Sequence, residues 1–220
     1  NGIEDTEILE IIDHHRLGPI QTITPVFFRN QPLGCTGTII YKMYQEAGIE
    51  IEPVIAGLMC SAIISDTLIF KSPTCTTDDI EAATELARIA GIDPEVYGRE
   101  MFGAGSNLDE KTDREIFYQD FKKFTINDVT IGIGQANAMG PEDIEKIKLK
   151  ELPFIDTVVG DGGLDVVYFL MTDISAECSY VLCSGKNADT IMTLSFGVDK
   201  QKDTYILKNV VSRKKQFLPA

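Results

Sequence analysis

An apolar run that ends abruptly in three polar groups sets the frame for this chain. Ile8, Leu9, Ile11 and Ile12 have the density of a strand buried on both faces, and Asp13-His14-His15 follows without a spacer. His14 and His15 are the only histidines among 220 residues. Ligands of open parallel sheets sit at the carboxyl edge of the strands. A strand that delivers a carboxylate and two imidazoles to that edge points to metal or acid–base chemistry. Imidazole is the commonest protein metal ligand, and a neighbouring carboxylate can fix its tautomer. Two surface histidines would give the same string. Adjacent strand residues also face opposite ways, so both reach one site only if the chain turns after Asp13.

The formal net charge of −14 disfavours non-specific binding to nucleic acid. An acidic protein that handles phosphates needs metal ions to offset the repulsion. Cys35, Cys60, Cys75, Cys178 and Cys183 form no C-x-x-C pair and are odd in number, the usage of reduced thiols in a cytoplasmic protein. No signal peptide or membrane-length apolar run is visible, so neither membrane nor nucleic acid is expected as a partner. Asn1-Gly2-Ile3-Glu4-Asp5 holds no methionine and leads almost at once into the strand. Part of the first domain is therefore expected upstream.

Beyond His15, prolines 19, 25 and 32 break up an irregular stretch around a short strand at 26–29. Gly34-Cys35-Thr36-Gly37-Thr38 opens a helical pattern over 39–47, closed by Gly48. Free N–H groups at such a start could cradle an anion, although an ordinary N-cap explains it better. Pro53 suits the first turn of the next helix, whose apolar face reads Ile55, Leu58, Met59, Ala62 and Ile63. That register brings Ser65-Asp66-Thr67 to the helix end. An acid opposes the dipole there, which tilts Asp66 toward a function. Thr76 or Thr77 caps a third helix with Asp78, Asp79 and Glu81 in its first turn. Its apolar face is Ile80, Ala83, Leu86, Ala87 and Ala90, and Gly91 ends it. Asp93-Pro94 starts a short helix, and Gly103-Ala104-Gly105-Ser106-Asn107 reads as a linker. The division expected is 1–104, a linker at 105–110, and 111–220.

The second half suggests a helix over 109–118 and a hairpin of 123–126 and 129–133 around Asn127-Asp128. A helix from Pro141 to about 151 comes next. Strands are expected at 155–159, 166–171, 179–183 and 191–196, giving a mixed α+β domain. Near the end, Arg213-Lys214-Lys215 places three consecutive cations in this acidic chain. Such a run is usually a solvated tail. Here apolar Val210-Val211 and Phe217-Leu218 flank it and could anchor it, and Arg with Lys is the pairing that grips phosphate. Lys122 is a further candidate cation.

Over its whole length the chain resembles the manganese-dependent family II inorganic pyrophosphatases of the DHH phosphoesterase superfamily. The likeness rests on Asp13-His14-His15, on Ser61-Ala62-Ile63-Ile64-Ser65-Asp66-Thr67 and on Ser212-Arg213-Lys214-Lys215-Gln216, in that order. The triplet specifies only the superfamily, and the terminal motif narrows it to the pyrophosphatases. The resemblance implies an α/β fold: a parallel-sheet DHH domain, incomplete at its N-terminus, then a smaller mixed α+β DHHA2-type domain, with the site in the cleft between them. It implies His14 and Asp66 as metal ligands, Asp13 as a supporting partner and His15 as the substrate-facing general acid. Lys122, Arg213 and Lys214 match positions that hold phosphates, and Lys215 is structural or solvated. The cofactors implied are Mn2+ or Co2+ in a cluster, with Mg2+ accompanying the substrate. The partners implied are pyrophosphate, an upstream segment of the same protein and a second copy in a homodimer.

The chemistry agrees. Pyrophosphate hydrolysis needs a nucleophile at neutral pH and neutralisation of the leaving phosphate, which a pair of divalent ions can supply. The family's amino-terminal His-x-x-x-Asp-x-Asp and later Asp-His-Asn motifs are not in this sequence, and both would fall upstream of Asn1. With only His14 and Asp66 from the cluster, residues 1–220 alone are expected to be inactive. Two other readings stand beside this one. One is another DHH phosphoesterase, an exopolyphosphatase or nucleotide phosphodiesterase. The other is a non-catalytic phosphate-binding module, which the intact triplet and basic ending argue against.

Overall fold

The computed structural model describes residues 6–161 and 163–220, so the initial stretch 1–5 lies outside the described residues. Two units form, Asn1–Gly98 and Arg99–Ala220.

In the first unit β1 (Glu10–Asp13) pairs in parallel with β2 (Phe27–Asn30), Asp13 opposite Asn30. The strand expected to be buried on both faces is half-open instead, and Leu9 is 69% exposed. The reason is local: β2 is the only strand beside β1 among the described residues. Helices α1 (Thr36–Ala47), α2 (Pro53–Thr67) and α3 (Thr77–Ala90) come next in the chain. Gly48 and Gly91 close α1 and α3 in the left-handed conformation, the role their positions suggest. Thr76 and Asp79 form a reciprocal capping box at the start of α3.

The faces of α2 and α3 differ from the sequence reading. The buried stripe of α2 is Ala56, Met59, Cys60, Ile63, Ile64 and Thr67, while Ile55, Leu58 and Ala62 are exposed. Apolar residues run all round this helix, so their spacing does not single out the packed side. On α3, Ile80 points outward and the small Ala82 and Ala83 let α2 approach.

The division between the units falls inside α4 (Pro94–Ser106), earlier than the linker expected at 105–110. Asp93 Oδ1 accepts the N–H groups of Glu95 and Val96, both at 2.9 Å, and starts this helix firmly. The helix then continues through Gly103 and Gly105.

The second unit carries a five-stranded sheet in sequential order: β3 (Phe121–Ile126), β4 (Val129–Ala138), β5 (Val166–Asp173), β6 (Cys178–Gly185) and β7 (Tyr205–Lys208). Only β4 and β5 run parallel. Asn127 and Asp128 both adopt positive φ and close the β3–β4 hairpin. Every residue of β5 is buried, as expected of a central strand. At Gly134 a Cβ would sit 2.7 Å from Phe169, so only glycine fits the aromatic layer of Phe117 and Phe169, stacked at 5.1 Å.

Two expected strands are helical and one strand was not expected. Residues 155–159 belong to α6 (Pro141–Asp161). Ile144, Ile147, Glu151, Ile155 and Val158 form one buried helical stripe straight through Pro153. Residues 191–196 belong to α7 (Ala188–Phe196), which buries Ala188 and Met192, one turn apart, and ends at Gly197 in the left-handed region. Tertiary packing here outweighs β-branched composition. The unexpected β7 pairs with the edge of β6. A short α5 (Asp113–Tyr118) begins at the Thr112–Glu115 capping box, later than the expected 109. All five cysteines are free. No helix of the described residues is long and apolar enough to cross a membrane.

Candidate active-site residues

In the first unit the chain turns at the end of β1, as both imidazoles require. Asp13 Oδ1 makes the turn: it accepts the backbone N–H of His14 at 2.8 Å and of His15 at 3.1 Å, and the Nδ1–H of His15 at 2.8 Å. The His15 hydrogen bond, ahead of the two backbone donors, holds the Asp13 carboxyl below the usual carboxylate range against the opposing effect of burial. A carboxylate only accepts, so Nδ1 of His15 carries the hydrogen and Nε2 is left to give or take a proton. Asn30 Nδ2 steadies this corner by donating to the His15 carbonyl at 3.0 Å.

His14 lies edge-on to His15, ring centroids 4.2 Å apart, and takes a different partner. Its Nδ1 lies 3.0 Å from the Leu33 carbonyl oxygen, which can only accept. That fixes the tautomer and frees the Nε2 lone pair. Nε2 faces Asp66 Oδ2 at 4.0 Å, with the imidazole 15% exposed and the carboxylate 46% exposed. Two donors on one divalent ion, each bonded near 2.0–2.2 Å, stand roughly 3–4 Å apart. A lone-pair nitrogen and a carboxylate oxygen facing each other at this distance fit such an ion. Asp13, His14 and His15 also each present a ligand atom within 4.8 Å of the others.

The turn that ends α2 holds Asp66 in place. Leu68, Ile69 and Phe70 all adopt positive φ, at 52°, 53° and 66°. Bulky residues avoid this region at a cost of about 1–2 kcal/mol each. Buried Thr67 over-determines the turn: its hydroxyl donates to the Ile63 carbonyl at 2.6 Å and accepts from Phe70 N at 3.3 Å, and its carbonyl accepts from Ser72 N at 2.8 Å.

The start of α1 finds hydrogen-bond partners within the chain. Cys35 caps it, with Sγ accepting from Gly37 N at 3.2 Å. Gly34 N donates to Asp79 Oδ2 at 2.8 Å and Thr38 Oγ1 to Asp79 Oδ1 at 2.5 Å. Asp79 is fully buried and also accepts from Thr76 N and Thr76 Oγ1. Desolvation raises its carboxyl, and the hydrogen bonds from Thr38, Thr76 and Gly34 outweigh that and leave it lowered. Burial, then the adjoining Asp66, pushes the Cys35 thiol up to about 12. Leu33, Cys35 and Asp79 were not among the expected site residues. The Gly/Thr-rich start and the acid in the first turn of α3 were the visible signals.

In the second unit the turn that carries the terminal cations is anchored, and of the three only the Arg213 side chain is buried. Arg213–Phe217 forms a π-helical turn capped by Ser212. Gln216 Oε1 accepts the N–H groups of Val211 and Ser212, and Gln135 receives Arg213 N and donates to the Val211 carbonyl. The Arg213 side chain is 7% exposed. It donates to the Asp120 carboxylate at 2.8 Å, to the Asp120 carbonyl, and to the Ile133 carbonyl at 3.4 Å. Lys122 stands opposite Ile133 in the β3–β4 register. Lys122, Lys214 and Lys215 are exposed.

Comparison with known proteins gives a consistent set of likenesses. A DHHA2 domain model matches residues 99–220 and a DHH family, N-terminal domain model matches residues 1–63. A Clostridium acetobutylicum protein named probable manganese-dependent inorganic pyrophosphatase is 46% identical over 219 residues, covering 100% of this chain and 70% of that protein. The cobalt-dependent inorganic pyrophosphatase of Clostridium perfringens is 47% identical over 219 residues, 100% of this chain and 40% of its own length. A crystal structure from Methanococcus jannaschii, assigned to the family II inorganic pyrophosphatases, aligns with a TM-score of 0.78 and 36% identity, covering 99% of this chain and 73% of that one.

Proposed function

The chain belongs to the manganese-dependent, family II inorganic pyrophosphatases with DHH and DHHA2 domains, and from that membership we propose that it hydrolyses inorganic pyrophosphate to two phosphates. The observation that carries the reading is the pair His14 Nε2 and Asp66 Oδ2, 4.0 Å apart, with the imidazole tautomer fixed by Leu33. These two residues would hold a Mn2+ or Co2+ ion, the metals in the names of the relatives, and Mg2+ would accompany the substrate. When bound, such an ion supplies Lewis-acid activation of water and of the phosphoryl group at neutral pH.

The chain's own residues do the rest. Asp13 holds Nδ1–H of His15 and its ring aligned, so that in the imidazolium form the second proton, on Nε2, passes to the departing phosphate and leaves the neutral Nδ1–H ring. Lys122 and Lys214 meet phosphate oxygens as point charges, and Arg213 does so by exchanging the half-exposed Asp120 carboxylate for a phosphate oxygen. The first unit thus carries metal and proton chemistry, and the second carries phosphate recognition.

The test is phosphate release by the full-length protein with Mn2+, comparing pyrophosphate, tripolyphosphate and a short oligonucleotide. Pyrophosphate should be turned over fastest, and His15→Gln should lower kcat about 10²–10⁴-fold, the usual worth of a positioned acid. Preference for tripolyphosphate or the oligonucleotide would assign the site to another phosphoesterase activity.

A further inference from the structure

A chain of hydrogen bonds with fixed directions ties the terminal turn to the sheet of the second unit. Ser179 Oγ donates its hydrogen to the Val210 carbonyl at 2.7 Å. Thr172 and Ser179 are cross-strand partners on β5 and β6, and their 2.8 Å contact must then be donated by Thr172. Thr172 Oγ1 in turn accepts from Gln135 Nε2 at 3.0 Å. Thr172 and Ser179 are both fully buried. One orientation is left for the Gln135 amide. Nε2 also donates to the Val211 carbonyl at 3.0 Å, and Oε1 accepts the Arg213 N–H at 3.3 Å. Gln135 reaches the other end of Arg213 as well. Its backbone N–H donates at 3.1 Å to the Asp120 carbonyl, the same group that accepts from the Arg213 guanidinium. Gln216, by contrast, bonds to Asn209, Val211 and Ser212 and shapes the turn from within.

We propose that Gln135 is a positioning residue for pyrophosphate binding, its amide setting the terminal turn on the sheet so that Arg213 and Lys214 meet the phosphates together. The inference rests on the reading of Arg213 and Lys214 as phosphate-binding cations. Gln135 acts through the backbone of the turn. Lys214 is exposed, so the reach of its ammonium is set by the backbone that carries it. Misplacing a binding group by about 1 Å can cost on the order of 10²-fold in rate. An amide suits the position because it donates and accepts at once. Methionine has the same length without a strong donor or acceptor, so Gln135→Met removes these bonds with little change of shape.

The experiment is steady-state hydrolysis of pyrophosphate by the full-length, Mn2+-loaded protein, with kcat and KM measured separately and melting temperatures and Mn2+ titrations alongside. Gln135→Met should raise KM at least about 10-fold, with a smaller change in kcat and an unchanged Mn2+ affinity. Thr172→Val interrupts the chain one step back and should move KM the same way by less. In a protein that also carries Lys214→Ala, the loss of kcat/KM should fall short of the product of the two single losses, because both changes act on one contact. A folded Gln135→Met variant with wild-type KM, whatever its melting temperature, would overturn the role of Gln135, and so would losses that multiply in the double variant. If Gln135→Met does not fold, wild-type KM in Thr172→Val overturns it. Wild-type kcat/KM in Lys214→Ala would instead remove the reading on which the role rests.

Discussion

Arg213 and Lys214 are neighbours in sequence and have different surroundings. The Arg213 guanidinium is buried against Asp120 and two carbonyl groups, whereas the Lys214 ammonium stands in solvent. Arg213→Ala strips partners from those carbonyls and is predicted to cost about 2–3 kcal/mol of stability in addition to turnover. Lys214→Ala is predicted to lower pyrophosphate turnover tens-fold with an unchanged melting temperature, and Lys215→Ala to change neither. Paired activity and melting curves decide this. A destabilised Lys214→Ala, or equal small effects for Lys214→Ala and Lys215→Ala, would contradict it. At this scale Asp13, His14 and Asp66 were legible because unusual residues stood at element ends. Asp79 was not, since its role comes from contacts with residues distant in the chain, Gly34 and Thr38.

Among the elements, α6 carries the sharpest conflict between sequence and packing. Glu151 lies in its apolar stripe, with both carboxylate oxygens buried and no hydrogen-bond partner for either among the described residues. Desolvation first, then the charge of Asp113, pushes its carboxyl up to about 8. The folded state therefore holds a proton that the unfolded chain releases near pH 4.5. Stability is full below that pH and falls as pH rises toward 8, levelling off above it. Glu151→Gln is predicted to remove this slope, so its melting temperature should overtake that of wild type between about pH 5 and 8. Parallel pH profiles for the two proteins would refute this. The same helix shows why 155–159 misled: Ile155 and Val158 suit a strand locally, but continue the stripe of Ile144 and Ile147 across Pro153. The left-handed run Leu68-Ile69-Phe70 was equally hidden, because bulky residues rarely adopt it and nothing in their identity announces it.

The whole molecule poses a charge problem. A chain of formal net charge −14 is proposed to bind one of the most anionic small substrates. Three local cations, of which Arg213 is already paired with Asp120, do not offset that field. The divalent metal proposed at His14 and Asp66 would reconcile the two. The two-unit plan and its α/β then mixed-sheet character were readable from the apolar run before Asp13 and the hairpin at Asn127-Asp128. The position of the division was not, because Asp93 starts α4 and carries it across a glycine-rich stretch that resembles a linker. The most direct measurement is Mn2+ titration of metal-free, full-length protein beside phosphate release from pyrophosphate, for wild type and Asp66→Asn. Wild type should bind Mn2+, lose turnover on chelation and regain it with Mn2+ or Co2+. Asp66→Asn should remain folded, bind Mn2+ at least tens-fold more weakly and lose turnover in step. Wild-type affinity and rate in Asp66→Asn, or chelator-resistant turnover in wild type, would contradict the metal site proposed at His14 and Asp66.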